Sequence, residues 1–158
     1  MTRLVLSCFV LLAVSACTHG DRPPRGMHSI EEARRAADLF FIEGSPRLFL
    51  QSIDESGASD HQREAFLKFA KSGWPNAKLR QHHKWTRLVS PAELIEIKNE
   101  ARKEWSEELK TAADKAHWNV TPEKFIVYYF ESDSSHAYWT LGLYRREGLW
   151  FFAAQIQP

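Results

Sequence analysis

The sequence predicts an α+β domain with N-terminal helices and one long central helix packed on a C-terminal antiparallel β-meander. Three observations carry this. Apolar residues recur at helical spacing from Ala33 to about Ala116. Beyond Glu123 the pattern changes to short runs rich in branched and aromatic residues, KFIVYYFE, HAYWTLGLYR and LWFFAAQIQ. The two kinds of segment are segregated along the chain rather than alternating, which places helices against one antiparallel sheet.

The elements follow in order. Residues 18–28, THGDRPPRGMH, hold two prolines and two glycines without an apolar pattern and read as a tether, Met27 included. The domain then spans 29–158. Ser29-Ile30-Glu31-Glu32 is a capping-box sequence, Ala33, Ala36, Ala37, Phe40 and Phe41 follow on one helical face, and Gly44 ends the helix. Ser45-Pro46 opens a second helix carrying Leu48, Phe49 and Ile53. SGASD (56–60) is a loop, and Asp60 caps a third helix with Ala65, Phe66, Leu67, Phe69 and Ala70, closed by Gly73. Residues 74–89 admit either a strand or a short helix.

Ser90-Pro91-Ala92-Glu93 then combines an N-cap, proline at the first helical position and glutamate at the third. Leu94, Ile97, Ala101, Trp105, Leu109 and Ala116 continue as one stripe, so a single helix is expected over 91–117. In the β region, 136–145 and 149–157 flank a turn at Arg146-Glu147-Gly148. A bulge at Gly148 would put Trp150, Phe152 and Ala154 on the same face as Tyr144. A plain two-residue loop would put Phe151, Ala153 and Gln155 there.

The chain starts MTRLVLSCFVLLAVSACTHG. Arg3 gives a positive start, Leu4 to Val14 is an apolar core of eleven residues interrupted only by Ser7 and Cys8, and small residues follow. That core is too short for a membrane-spanning helix, which needs about 20 apolar residues, and has the layout of a secretory signal. Val14-Ser15-Ala16-Cys17 resembles the lipobox of bacterial lipoproteins at every motif position. The resemblance implies a signal peptide over 1–16, cleavage before Cys17, diacylglycerol on the Cys17 sulfur and a further fatty acyl chain, such as palmitate, on the new amino terminus. Lipid transfer needs a nucleophilic thiolate, which cysteine supplies. Two or three acyl chains hold a protein stably at a bilayer. Thr18 stands where an aspartate would signal inner-membrane retention, so the resemblance implies the outer membrane, facing the periplasm, with residues 17–28 as anchor and tether.

Removing residues 1–16 takes away Arg3 and leaves 20 basic and 20 acidic residues. That balance argues against a nucleic-acid partner. Cys8 leaves with the signal and Cys17 carries lipid, so no disulfide is expected.

The layout of N-terminal helices, antiparallel sheet and a late hairpin, Arg146-Glu147-Gly148-Leu149-Trp150, is similar to the cone-shaped nuclear transport factor two-like superfamily. That resemblance implies a curved antiparallel sheet; the long charged helix over 91–117, with only one hairpin and one further strand after it, departs from the pattern and leaves a simpler helices-on-sheet fold open.

Candidate sites follow from side-chain chemistry. On the strand 136–145, His136, Tyr138, Thr140, Gly142 and Tyr144 share one face, and Ala137, Trp139, Leu141 and Leu143 the other. The second is core. On the first, rings with hydroxyl tips bracket Thr140 and Gly142, which leaves room for a ligand, so Tyr138, Thr140 and Tyr144 are ligand-binding candidates. Between Glu64 and Glu93 there are six basic residues and no acid. Lys78, Arg80, Lys84 and Arg87, interleaved with Trp74 and Trp85, are candidates for an anionic partner, and could equally face the acidic side of the next helix. The five domain histidines show no ligand spacing, so neither a metal nor another cofactor is expected. Asn119-Val120-Thr121 matches a glycosylation triplet, but Pro122 follows it and a bacterial lipoprotein would not normally be modified there. No nucleophile elbow or phosphate-binding glycine loop occurs.

The expected function is therefore a membrane-anchored, non-catalytic binding module for a small molecule or a protein partner. The alternatives are a small-molecule enzyme with a pocket near Tyr138 and Tyr144, or a protein-interaction lipoprotein of the immunity type. The anchor is directly testable. Cys17→Ala should leave an uncleaved or soluble precursor. Membrane retention after a carbonate wash together with normal loss of the signal would refute the lipobox reading.

Overall fold

The computed structural model describes residues 23–54, 56, 77–133 and 136–156, and the α+β class holds. The signal, Cys17 and the helix expected over 60–73 lie outside the described residues. So do Lys68, Lys71 and Trp74.

Helix α1 (Ile30–Phe41) starts at Ser29, whose Oγ accepts the Glu32 N–H at 3.1 Å. The Glu32 carboxylate reaches one residue further back than in a standard capping box, to the His28 N–H at 2.8 Å. Gly44, at φ 77°, closes the end in the left-handed region, as the glycine signal predicts. Helix α2 (Arg47–Gln51) is shorter than expected: the Ser52 N–H turns back to the Phe49 carbonyl, and Ile53 enters a strand instead of continuing the helix.

That strand, β1 (Ile53–Asp54), pairs parallel with β6 (Leu149–Ala153), so the sheet is mixed rather than purely antiparallel. The other members are β2 (His83–Val89), β4 (Lys124–Glu131) and β5 (His136–Arg146), in the order β1-β6-β5-β4-β2. The ambiguous stretch before Ser90 is both things in turn, a short helix α3 (Ala77–Arg80) and then β2. A separate pair joins β3 (His117–Trp118) to β7 (Gln155–Ile156).

Two further expectations are corrected. The tether does not run to residue 28. The Arg25 N–H bonds to the Gln51 carbonyl, Met27 exchanges backbone hydrogen bonds with Trp150, and its side chain is 1% exposed in the core. A backbone bridge and a buried thioether make it part of the domain.

The expected helix over 91–117 is two helices, α4 (Pro91–Arg102) and α5 (Glu107–Lys115). The Ser90 capping box opens α4 with both of its bonds in place. At the other end, the N–H groups of Lys103, Glu104 and Trp105 each reach a carbonyl three residues back, a tightened turn that stops the helix. The Ser106 carbonyl then accepts the first bond of α5, with Glu107 and Glu108 in its first turn. Arg102 forks onto Asp114 at 2.6 and 3.0 Å. In one straight helix these residues would stand about 18 Å apart along the axis, so the ion pair requires the break.

One face of the sheet packs Ile126, Tyr128, Phe130, Trp139, Leu141, Leu143 and Phe152 against α1 and α2. Phe41 stacks on Tyr128 and Phe40 on Phe49, with ring centroids 4.7 and 4.9 Å apart. The other face carries Val89, Phe125 and Val127 under Leu94 and Ile97 of α4. Glu147 and Gly148 both take positive φ, 52° and 83°, the geometry of a two-residue hairpin loop. Tyr144 therefore pairs with Phe151 and Gly142 with Ala153, which settles the register in favour of the plain loop.

Trp105 lies in the break between α4 and α5 and is 5% exposed. Trp105→Ala should cost about 3–5 kcal/mol in chemical denaturation, the range for a buried large aromatic. A change within about 0.5 kcal/mol, as at an ordinary surface position, would show that the turn does not bury it.

Candidate functional site

The alternation of β5 puts Tyr138, Thr140 and Tyr144 on one face as expected, but in different surroundings. Tyr144 is 4% exposed and its hydroxyl donates to Asp54 Oδ2. Thr140 is 6% exposed, and its hydroxyl has no hydrogen-bond partner among the described residues. The room expected over Gly142 is filled: a Cβ there would meet Pro122 at 2.6 Å and Trp118 at 3.0 Å. Only Tyr138 is half-buried, at the other end of the strand.

The Tyr144 end is a closed network. Asp54 is 3% exposed and also accepts from the Ser56 N–H at 2.9 Å and Arg146 Nη1 at 3.3 Å. Burial pushes the Asp54 carboxyl up, but these partners outweigh it and hold it below its ordinary value. Burial and the bond to Asp54 push the Tyr144 phenol up. Asn119 locks the segment from outside. Its Nδ2 donates to the carbonyls of Asp54 and Ser56 at 3.0 and 2.9 Å, and its Oδ1 accepts the Ala154 N–H at 2.9 Å. The side chain of the glycosylation triplet is therefore engaged within the fold.

The Tyr138 end is open by comparison. Trp85 of β2, Tyr129 of β4, and His136 and Tyr138 of β5 are all half-buried and form one cluster. Tyr129 and Tyr138 have centroids 4.7 Å apart, Trp85 stacks on Tyr129 at 5.3 Å, and His136 stands 6.1 Å from each tyrosine. Adjacent strands bring these residues into register: Tyr129 faces Tyr138 on one side and Trp85 on the other. The bulge between His83 and Trp85 turns Trp85 onto this face. Glu100, Glu104 and Glu131 ring the cluster; burial first, then these carboxylates, push the Tyr138 phenol up against the opposing charge of Arg87.

The basic candidates do not form one strip. Arg87 lies on the tyrosine face, over the Trp85 ring at 4.6 Å. The Arg80 guanidinium sits 2.7 Å from where a Gly44 Cβ would be, at the C-terminal end of α1, where a cation is favoured. Lys78 shares α3 with Arg80, while Lys84 is exposed at the bulge of β2. Composition located the positive charge but not the change of element at residues 81–82 that divides it.

No group of three or more metal-ligating side chains occurs among the described residues. None of the described helices is long and apolar enough to cross a membrane. Sequence reasoning missed Asp54, Tyr129 and Asn119. Tyr129 was legible as the alternate face of KFIVYYFE, whereas Asp54 gave no signal before its strand was known. Comparison with family models, curated proteins and solved structures finds no match to this chain.

The two ends of the face separate by mutation. Tyr144→Phe should lower stability by about 1–3 kcal/mol, because a buried carboxylate loses a donor. Thr140→Val should leave stability unchanged or slightly raised. The Asp54 carboxyl has a depressed folded-state value, so its contribution is present above pH 3.8 and fades as pH falls through that lower value. The stability difference between the wild type and Asp54→Asn should shrink over that acid range, and a difference independent of pH would contradict the network.

Proposed function

We propose that this chain is a lipid-anchored envelope protein whose domain is a non-catalytic binding module for a protein partner. Cys17 is its anchor, and the ring cluster Trp85–Tyr129–His136–Tyr138 is its contact surface. The single observation that carries the reading is the half-buried state of that cluster. Four half-buried rings from three strands lie side by side, while the rest of the same sheet face is closed by Leu94, Ile97, Trp118 and Pro122. Aromatic rings with polar tips, held rigidly, are favoured at protein contact surfaces.

A shallow sheet face favours a protein over an enclosed small molecule. The enzyme alternative would place an acid or base beside a tyrosine within reach of substrate. Asp54 stands beside Tyr144, but its carboxylate is buried and bonded to three donors, which supports a structural role. The short tether supports a domain held near the bilayer: eight residues from Cys17 to the first docked backbone group at Arg25 span at most about 25–30 Å. The helices ahead of the sheet and the tight hairpin at Glu147-Gly148 support reading the fold with the cone-shaped class.

The test is positional. A photoreactive amino acid at position 129 in the anchored protein should cross-link a discrete envelope protein. The same group at Ile42, exposed at the end of α1, should not. Tyr138→Ala should abolish the adduct at 129. Equal cross-linking from both positions, or none from 129, would refute the proposed surface.

A further inference from the structure

Resting on the reading of Cys17 as a lipid anchor, we propose that the β5–β6 hairpin is the bilayer-facing end of the domain: Arg145 meets lipid phosphate groups there, and the ring cluster is presented at the end remote from the membrane.

The place where the chain enters the domain carries the argument. Met27 forms an antiparallel bridge with Trp150, and the Arg25 N–H bonds to the Gln51 carbonyl, so the tether joins the domain beside the hairpin tip at Glu147-Gly148. Gly26 is pressed against the hairpin: a Cβ there would meet Leu149 at 2.5 Å and Phe151 at 3.0 Å. The ring cluster lies at the other end of the same strand. Trp150 pairs with Arg145, and from Arg145 back to His136 the strand β5 runs about 30 Å. The residues from Cys17 to Arg25 span at most about 25–30 Å. To bring the rings to the bilayer, the tether would have to lie fully extended along the whole sheet and give up its conformational freedom. The hairpin reaches the bilayer with tether to spare.

The hairpin end also has the form and chemistry for such a contact. The pairing of β5 with β4 stops at Leu143 and Lys124, so residues 144–151 project past the start of β4. Arg145, Arg146, Glu147 and Gly148 are exposed, and a Cβ at Gly148 would meet nothing within 4 Å. Arg25 pairs with Glu32, and Arg146 with Asp54. The Arg145 side chain has no carboxylate partner among the described residues, and its backbone N–H donates to Glu123 Oε1 at 3.1 Å. An unpaired guanidinium fits the paired oxygens of a phosphate, which every phospholipid headgroup carries. Glu123 and Glu147 offset the charge of Arg145 at longer range. The contact is therefore a close one with phosphate and not a general attraction to an anionic surface.

The experiment uses the mature lipidated chain in vesicles of phosphatidylethanolamine and phosphatidylglycerol. Cys8 leaves with the signal and Cys17 carries lipid, so a cysteine introduced at Glu147 or at Asp133 is the only reactive thiol. Both positions are exposed, at opposite ends of β5. Each is labelled with a fluorophore, and the vesicles carry a nitroxide quencher on the lipid headgroup. In protein that floats with the vesicles, the label of Glu147→Cys should be quenched at least about twofold more than that of Asp133→Cys, given their separation of about 30 Å along the strand. Adding Arg145→Glu should lower the quenching at 147 while leaving flotation and thermal unfolding unchanged. Equal quenching at the two positions in floated protein, or stronger quenching at 133, would overturn the orientation and leave the anchor standing. Quenching at 147 that Arg145→Glu does not reduce would overturn the phosphate contact. A wild-type chain that does not float would overturn the anchor, and the orientation with it.

Discussion

The hydrogen bond from the Tyr144 hydroxyl to the Asp54 carboxylate is the constraint on which the arrangement of the sheet turns. It joins residues 90 positions apart and fastens a two-residue strand to the end of the meander. A strand so short makes too few ladder bonds to hold its own place. The carboxylate supplies what the ladder lacks, because it gathers Tyr144, the Ser56 N–H and Arg146 at one buried point. Asn119 then ties the same segment to Ala154. Once β1 is held, Phe49 and Phe152 meet at 4.8 Å, and α2 is placed on the sheet.

The other face repeats the device. The Tyr128 hydroxyl donates to Asp38 of α1 at 2.7 Å, and Arg34 stands 3.7 Å from the same carboxylate. Burial, then the bond to Asp38, push the Tyr128 phenol up. A tyrosine from the meander thus meets an aspartate from the N-terminal half on each side of the sheet. Apolar packing is tolerant of sliding, whereas a hydroxyl-to-carboxylate bond is directional, and leaving a buried hydroxyl such as that of Tyr144 unpaired costs more than the bond gains. These two bonds convert a hydrophobic stack into a fixed register of helix, strand and sheet.

Much of this was legible locally and little of it at long range. Ser29, Gly44, Ser90 and Pro91 marked helix ends because a cap acts on its own neighbours. The alternation of Trp139, Leu141 and Leu143 marked the core face of β5 for the same reason. The break after Arg102 was hidden because Leu94, Ile97, Ala101 and Trp105 keep helical spacing through it. Ser106 followed by two glutamates was the helix start that could have shown it. Ile53 and Asp54 looked like the tail of a helix, since a parallel partner 99 residues away leaves no trace in the local pattern. At the site, the shared face of Tyr138, Thr140 and Tyr144 followed from strand period alone. What covers that face did not, because Trp118 and Pro122 come from a segment with no periodicity to read.

That uneven cover accounts for where the surface chemistry sits. A β-bulge, Lys84 and Arg87 mark β2, the last strand of the sheet among the described residues, and such features discourage edge-to-edge pairing. The bulge has a second consequence. It rotates Trp85 onto the tyrosine face, where it stacks on Tyr129 and extends a pair of rings into a cluster. Helix α4 covers Val89, Phe125 and Val127, then gives way to the turn at residues 103–106 beside His136. Had the helix run on straight through this turn, Arg102 could not have reached Asp114, and the chain would not have folded back at Glu104. The break that defeats the sequence pattern is thus also what sets the carboxylate of Glu104 at the rim of the rings. The structural device and the surface it frames have one origin in the four residues between α4 and α5.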